Sequence, residues 1–192
     1  MFEVTPGLWK GKVRPRMSGA TQGAYLEGRQ RLEAEDLGGA MTRWQEVAET
    51  AEVSSWMFFR MGEVQAEAKE WERAHSACRS ALEAADGPEA QVAVWRAIGR
   101  AYEEQRRFDE AILAYRSAQE AGQRAWGEKS LSVATSFKDL GGVAYARRDL
   151  ARTVEYYRDA LKIEERLAPE SLAVAGSLTQ LGHVASPPSF FK

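Results

Sequence analysis

Apolar residues recur with a period of about 3.6 along most of the 192-residue chain, which is the spacing of one face of an α-helix. The positions between them are filled mainly by Ala, Glu, Arg, Leu and Gln, which are strong helix formers. No segment alternates apolar and polar positions as a half-buried strand does. All six prolines lie outside a helical pattern or at its edge, where they end helices rather than break them. The sequence therefore predicts an all-α protein.

A motif built around a glycine repeats along the chain. Its clearest copy runs Trp95-x2-Ile98-Gly99-x2-Tyr102. The glycines at the equivalent place are spaced by 34, 37, 42 and 41 residues and are Gly28, Gly62, Gly99, Gly141 and Gly182. Glycine inside a helix costs about 1 kcal/mol relative to alanine, so its repetition needs a structural reason. We expect that the missing side chain lets a neighbouring helix pack closely.

A second set of residues supplies the expected partners of these glycines. Twelve positions after a glycine the chain carries a small residue, as at Ala111 and Thr153, and four positions further comes a larger one. The larger residues, which should fill the space between repeats, are Trp44, Cys78, Tyr115 and Tyr157. Each repeat is therefore predicted to be a pair of helices joined by a short turn.

At these residues the chain resembles the tetratricopeptide-repeat (TPR) family, whose pattern W-x2-[LI]-G-x2-Y…A-x3-[FY] is carried in full from Trp95 to Tyr115. The two later repeats, near 42 residues long, are similar to those of kinesin light chains and of bacterial arrays found with CHAT domains. The resemblance implies helix-turn-helix repeats stacked into a right-handed superhelix, which is an α-solenoid.

The resemblance also implies a domain organisation. About four and a half repeats are expected within residues 21–186, at 21–53, 54–87, 88–129 and 130–168, with a half repeat at 171–186. Residues 1–20 contain two prolines, three glycines and four basic residues against one acid, and they are expected to form a disordered or loosely attached arm. Residues 187–192 are expected to form a C-terminal tail.

Carried over residue by residue, the resemblance implies a concave groove lined by the first helices of the repeats. The predicted partner-contact residues are Phe59, Arg60, Glu63, Arg96, Arg100, Lys138, Tyr145 and His183. Four of them are basic and fall on consecutive repeats, which favours a partner segment that is acidic or carries a carboxylate. The TPR subclass that clamps a C-terminal carboxylate needs asparagine one residue after the glycine. Those places hold Arg29, Glu63, Arg100, Gly142 and His183, so this clamp is not expected.

Overall charge and cysteine content narrow the classes of partner. The formal net charge is −2, whereas a nucleic-acid-binding domain usually carries a basic excess, so neither DNA nor RNA is predicted as a partner. No apolar run approaches the ~18 residues that a membrane span needs. The single cysteine, Cys78, excludes an intramolecular disulfide and suits a reducing compartment. We therefore expect a cytoplasmic protein without a membrane partner.

Candidate chemistry is sparse. His75 and Cys78 lie three residues apart on a predicted helix, but zinc usually takes three or four protein ligands, and Cys78 stands where other repeats carry a packing tyrosine. The glutamate pairs at Glu103 and at Glu164 are interpreted as solvated helix faces. The aromatic residues could stack on bases but are interpreted mainly as core, with Trp56, Phe59 and Tyr145 as candidate groove contacts. No catalytic, cofactor or metal site is predicted.

The sequence thus favours a non-enzymatic scaffold that binds a segment of a partner protein in the groove. The alternative is a regulatory or sensor subunit that controls a separate effector enzyme, such as a CHAT-type protease. A further expectation concerns the last predicted helix, where Leu178, Leu181 and Gly182 have no predicted covering helix. We expect that this end self-associates or docks onto another protein, or that the chain is a truncated form of a longer array, unless Phe190 and Phe191 fold back over it.

Overall fold

The computed structural model describes residues 17–50 and 53–185. Within these ranges the chain forms nine α-helices and no strand, which confirms the predicted all-α class. The helices are α1 Gly19–Glu33, α2 Leu37–Ala48, α3 Ser54–Glu67, α4 Trp71–Glu83, α5 Pro88–Glu104, α6 Phe108–Trp126, α7 Leu131–Ala146, α8 Leu150–Leu167 and α9 Leu172–Ala185. None of these helices is long and apolar enough to cross a membrane.

Most of the predicted N-terminal arm, residues 1–16, and the predicted tail at 187–192 lie outside the described residues. The last part of the arm is helical, because α1 begins at Gly19 with its first turn capped by the Ser18 hydroxyl. The division of the chain into four and a half repeats stays a prediction.

The first eight helices follow one another as four pairs, each joined by a turn of three residues. The middle residue of every turn has a positive φ of 59° to 63°, which places Glu35, Lys69, Arg106 and Arg148 in the left-handed region. The next residue donates its backbone N–H to a carbonyl five residues back, as Asp36 does to Arg31 at 2.9 Å. This arrangement satisfies the carbonyl groups at the end of a helix and reverses the chain direction.

Two of these turns also start the next helix with a side-chain cap. The Asp36 carboxylate accepts a hydrogen bond from the Gly39 N–H at 2.8 Å, and the Asp149 carboxylate accepts one from the Arg152 N–H at 3.1 Å. In each of these two turns, one aspartate therefore caps the end of one helix with its backbone N–H and the start of the next with its carboxylate.

The chain divides between Ala97 and Ile98 into two compact units, and α5 contributes to both. In unit 1, which ends at Ala97, the core forms where α2 and α3 meet, around Trp44 and Met57. In unit 2, which begins at Ile98, the core is built around Tyr115 and Leu140. Within unit 2, α7 packs against α8, and α6 and α8 each pack against the helix that follows them.

The repeated glycines make the close contacts that the sequence predicts. A Cβ atom built on Gly99 would lie 2.5 Å from the Tyr115 ring, and one on Gly141 would lie 2.5 Å from the Tyr157 ring. On Gly62 it would lie 2.7 Å from the Cys78 Sγ atom, and on Gly28 it would overlap the Trp44 indole. Gly182 differs, because no described atom lies within 4 Å of its Cβ position.

This difference predicts opposite effects for one substitution at two equivalent glycines. Gly141→Ala should lower the free energy of unfolding by about 1–3 kcal/mol, because the buried Tyr157 ring must move to admit the methyl group. Gly182→Ala should raise it by about 0.5–1 kcal/mol, because alanine loses less backbone entropy in a helix. Urea denaturation of both variants measures the two effects. Shifts of the same sign in the two variants would contradict the assigned helix contacts.

Candidate functional site

The predicted groove residues are divided between the two units. Unit 1 contains Phe59, Arg60, Glu63 and Arg96, and unit 2 contains Arg100, Lys138, Tyr145 and His183.

In unit 1, the structure places Phe59 in the core, with 1% of its surface exposed. It is therefore not available to a partner, in contrast to the prediction. The physical reason is that α3 carries four consecutive large apolar residues from Trp56 onward, so the apolar period alone could not decide which of them faces outward.

The charged residues predicted for unit 1 are half-buried. Arg60 and Glu63 pair with each other on the same helix, with 2.5 Å between the guanidinium Nη1 and the carboxylate Oε2. Each charge is thus neutralised within α3. Arg96 lies half-buried on α5.

In unit 2, Lys138 belongs to an internal polar network. Its Nζ atom lies 2.7 Å from Glu164 Oε1, while the Ser177 hydroxyl donates a hydrogen bond to Glu164 Oε2 at 2.6 Å. Glu164 is 1% exposed, so the interpretation of this glutamate as solvated is wrong. A buried carboxylate needs a counter-charge and donors to offset its lost hydration, and Lys138 and Ser177 supply them. The network joins α7, α8 and α9.

A sequence signal for the burial of Glu164 exists. Thr153, Tyr157 and Ala160 are buried on α8, and Glu164 continues this stripe at helical spacing. The carboxylate therefore had to face inward if the helix continued without a break, which α8 does as far as Leu167.

The remaining predicted residues of unit 2 lie nearer the surface. Tyr145, near the end of α7, is 37% exposed, and His183 is exposed on α9. Gly142 adds no side chain beside Tyr145, and its Cβ position lies 3.9 Å from Glu103 Oε1. Arg100 is half-buried on the same helix as Glu103.

The Glu103 carboxylate is held between the core and this surface. Burial raises its pKa above the ordinary glutamate value, and the nearby charges of Asp139 and Glu104 act in the same direction. A hydrogen bond from the Tyr115 hydroxyl, at 3.0 Å, and the charge of Arg100 oppose the rise. Burial also raises the pKa of Tyr115, with the Glu103 charge as the next cause. The tyrosine therefore donates its hydrogen bond as a neutral phenol.

The other chemistry considered from the sequence has a structural explanation. Cys78 is buried, and its Sγ atom lies against Gly62, so it packs as predicted. Within residues 17–50 and 53–185, no three His, Cys, Asp or Glu side chains are grouped so that they could hold a metal ion.

The polar network predicts that Lys138→Met destabilises the protein by about 3 kcal/mol, because Glu164 then keeps a buried charge without a counter-ion. Adding Glu164→Met should recover most of the loss, since the carboxylate is removed with its partner. Lys162→Met is the control, because Lys162 pairs with Asp159 on the surface, where ion pairs contribute at most about 1 kcal/mol. Urea denaturation compares all three variants. A double variant as unstable as Lys138→Met alone would contradict the coupling.

The raised pKa of Glu103 predicts a pH-dependent effect of Glu103→Gln. In the folded wild type the carboxylate form is disfavoured, so stability falls as the pH rises through the raised pKa. The glutamine variant lacks this loss and can still accept the Tyr115 hydrogen bond. Its melting temperature should therefore exceed that of the wild type at pH ~7 and approach it at pH ~4. Glu104→Gln controls for the lost charge, and a difference that is constant across this range would contradict the expectation.

Three solved structures are similar in fold to this chain. BtubC (BKLC) from P. vanneervenii has a TM-score of 0.70 and 18% identity, over 85% of this chain and 70% of that one. The apo form of RapI has a TM-score of 0.67 and 14% identity, over 86% of this chain and 62% of that one. The N-terminal domain of stress-induced protein-1 (STI-1) from C. elegans has a TM-score of 0.56 and 14% identity, over 71% of this chain and 98% of that one.

The sequence matches no family model and no curated protein. The three structures are of the tetratricopeptide type, and their low identity bears on the fold alone. The resemblance to CHAT-associated arrays stays a prediction. The chain has the fold of tetratricopeptide-repeat proteins, which is the fold that the resemblance of its glycine-centred motif implies.

Proposed function

We propose that this protein is a non-enzymatic scaffold that binds a segment of another protein, with the surface of unit 2 around Tyr145 as the main contact. The observation that carries the proposal is the position of Tyr145, a large aromatic side chain that is 37% exposed near the end of α7. The TPR-type fold supports a scaffold role.

The surroundings of Tyr145 suit a peptide contact. Tyrosine is enriched at protein interfaces, because its ring buries apolar area while its hydroxyl can form a hydrogen bond. Gly142 leaves space beside it for a partner backbone, and Glu103 offers an acceptor close to that space.

The charge preference of the partner is a finer proposal. Arg60 and Lys138 form ion pairs within the chain, and Arg96 and Arg100 are half-buried on α5. In unit 2, Arg100 lies close to Glu103, which gives that part of the surface both signs of charge. A segment with acidic residues opposite Arg100 remains the predicted partner.

Selection from a random peptide library on the immobilised protein tests the function. We expect enriched peptides whose dissociation constants rise at least about tenfold with Tyr145→Ala, equivalent to about 1.4 kcal/mol. Leu113→Ala is the matched control, because Leu113 is a 64% exposed residue on α6, a second helix. Peptides that bind wild type and Tyr145→Ala equally would contradict the assigned surface.

The same peptides decide the charge preference. Arg100→Glu should weaken an acidic peptide and reduce the salt dependence of its binding, because the variant then repels the ligand. If Arg100→Glu binds the acidic peptide with unchanged affinity, the proposed preference for an acidic segment is wrong. That result would not contradict the proposed scaffold function. The regulatory-subunit alternative, the cytoplasmic location and self-association through α9 stay predictions.

A further inference from the structure

The glycine on α9 is exposed where its equivalents are covered. In each helix pair of the described chain, the glycine of the first helix contacts a side chain of the second, as Gly141 contacts the Tyr157 ring. Gly182 stands 41 residues after Gly141 at the same place in the motif, yet it is exposed and has no described atom within 4 Å of its Cβ position. Among the described residues, nothing fills above Gly182 the space that a ring fills above Gly141.

The neighbours of Gly182 reproduce the rest of the surface that α7 uses to bind α8. Ala144 is buried in α7, whereas its counterpart Ala185 is exposed in α9. Phe137 is half-buried against the Tyr156 ring, with 6.3 Å between the centroids. Its counterpart Leu178 is 51% exposed.

The opposite side of α9 is already in use. Val174, Ser177 and Val184 are buried, and α9 packs against α8. The helix contains no Asp, Glu, Lys or Arg, so a helix that covers its exposed side would bury no charge of α9.

We propose that the exposed face of α9, formed by Leu178, Gly182 and Ala185, binds an amphipathic helix of another protein. The occupant carries a small residue, an aromatic residue four positions later and a second small residue three positions after that. The second helices of unit 2 carry the same pattern where they cover Gly99 and Gly141. It is Ala111, Tyr115 and Ala118 in α6 and Thr153, Tyr157 and Ala160 in α8. The aromatic ring occupies the open space over Gly182.

This surface is separate from the one around Tyr145, which lies on a different helix. The ring is the specific part of the contact, because glycine alone leaves room for it and an aliphatic side chain would leave the space partly empty. Leu178 and Ala185 supply apolar area on either side of the ring, which is how a buried aromatic anchor usually contributes to binding.

The probe for the test is a synthetic peptide with the sequence of α8, Leu150–Leu167, carrying Glu164→Ala so that no carboxylate lies on the docking stripe. It is fluorescently labelled and crosslinked on its solvent-facing side. The crosslink holds it helical, since free helices of this length are marginal in water. Fluorescence anisotropy with the full chain should give one-to-one binding, with a dissociation constant of about 10–100 μM. Binding should weaken at least about tenfold when Tyr157→Ala is made in the peptide, because the ring is lost.

Gly182→Leu in the protein should weaken the binding by at least the same about tenfold factor, because leucine fills the space needed by the ring. It should leave the circular dichroism spectrum unchanged, since no described atom lies near the Cβ position. Leu113→Glu, on an exposed site of α6, is the control and should leave the affinity unchanged. Failure of the crosslinked peptide to bind, or full binding to Gly182→Leu, would overturn the proposal.

Two other occupants are outcomes of the same experiment. A second copy would appear as a dimer in light scattering of the protein alone, and its loss in Gly182→Leu would replace the proposal by self-association. If the residues after α9 occupied this face, they would compete with the peptide. The double variant Phe190→Ser with Phe191→Ser would then bind the peptide more tightly than the wild type does, which would assign the site to those residues and overturn the proposal. A monomer with unchanged affinity in the Phe190 and Phe191 variant supports a helix from another protein.

Discussion

The contact between a glycine of one helix and a side chain of the next sets the packing of each described helix pair. The glycine removes the side chain that would otherwise keep the two backbones apart, and a tryptophan, a tyrosine or the smaller cysteine fills the remaining space. A ring held in this way is buried, so its polar atoms need partners. Trp44 donates to the Tyr25 carbonyl at 3.1 Å, and Tyr115 donates to Glu103 at 3.0 Å. Glu103, which accepts the hydrogen bond from Tyr115, also places a carboxylate close to the surface of unit 2.

The three-residue turns make these contacts possible, because they return the chain at a fixed position. The turn residue with positive φ is Glu, Lys or Arg, for which this conformation costs about 1–2 kcal/mol. Glycine would adopt it without that cost. The strain is tolerated because the backbone hydrogen bond that follows each turn closes the helix end. The glycines at Gly28, Gly62, Gly99 and Gly141 thus stand where a side chain of the next helix approaches, rather than at the turns within the pairs.

The helices and their glycine contacts could be predicted from the sequence because both depend on local spacing. The apolar period predicts the helices. Glycine destabilises a helix interior, so its repetition at Gly99 and Gly141 indicates that a side chain of a neighbouring helix packs closely there. The site was predicted less well, because burial depends on which elements meet. Phe59 lies in a run of large apolar residues that has no single outward face. Lys138 and Glu164 are distant in sequence, and only the packing of α7, α8 and α9 brings their charges together.

The same polar network fixes which side of α9 is exposed. Ser177 binds the buried carboxylate of Glu164 and so must face α8. Gly182 follows five residues later, and at about 100° per residue it points some 140° away from Ser177. Leu178 lies only about 40° from Gly182, so both fall on the outer side of the helix. The hydrogen bond to a buried charge is costly to break, and it therefore keeps the apolar face with the open glycine directed outward. In this unit, a polar contact inside the core determines which side of α9 is exposed.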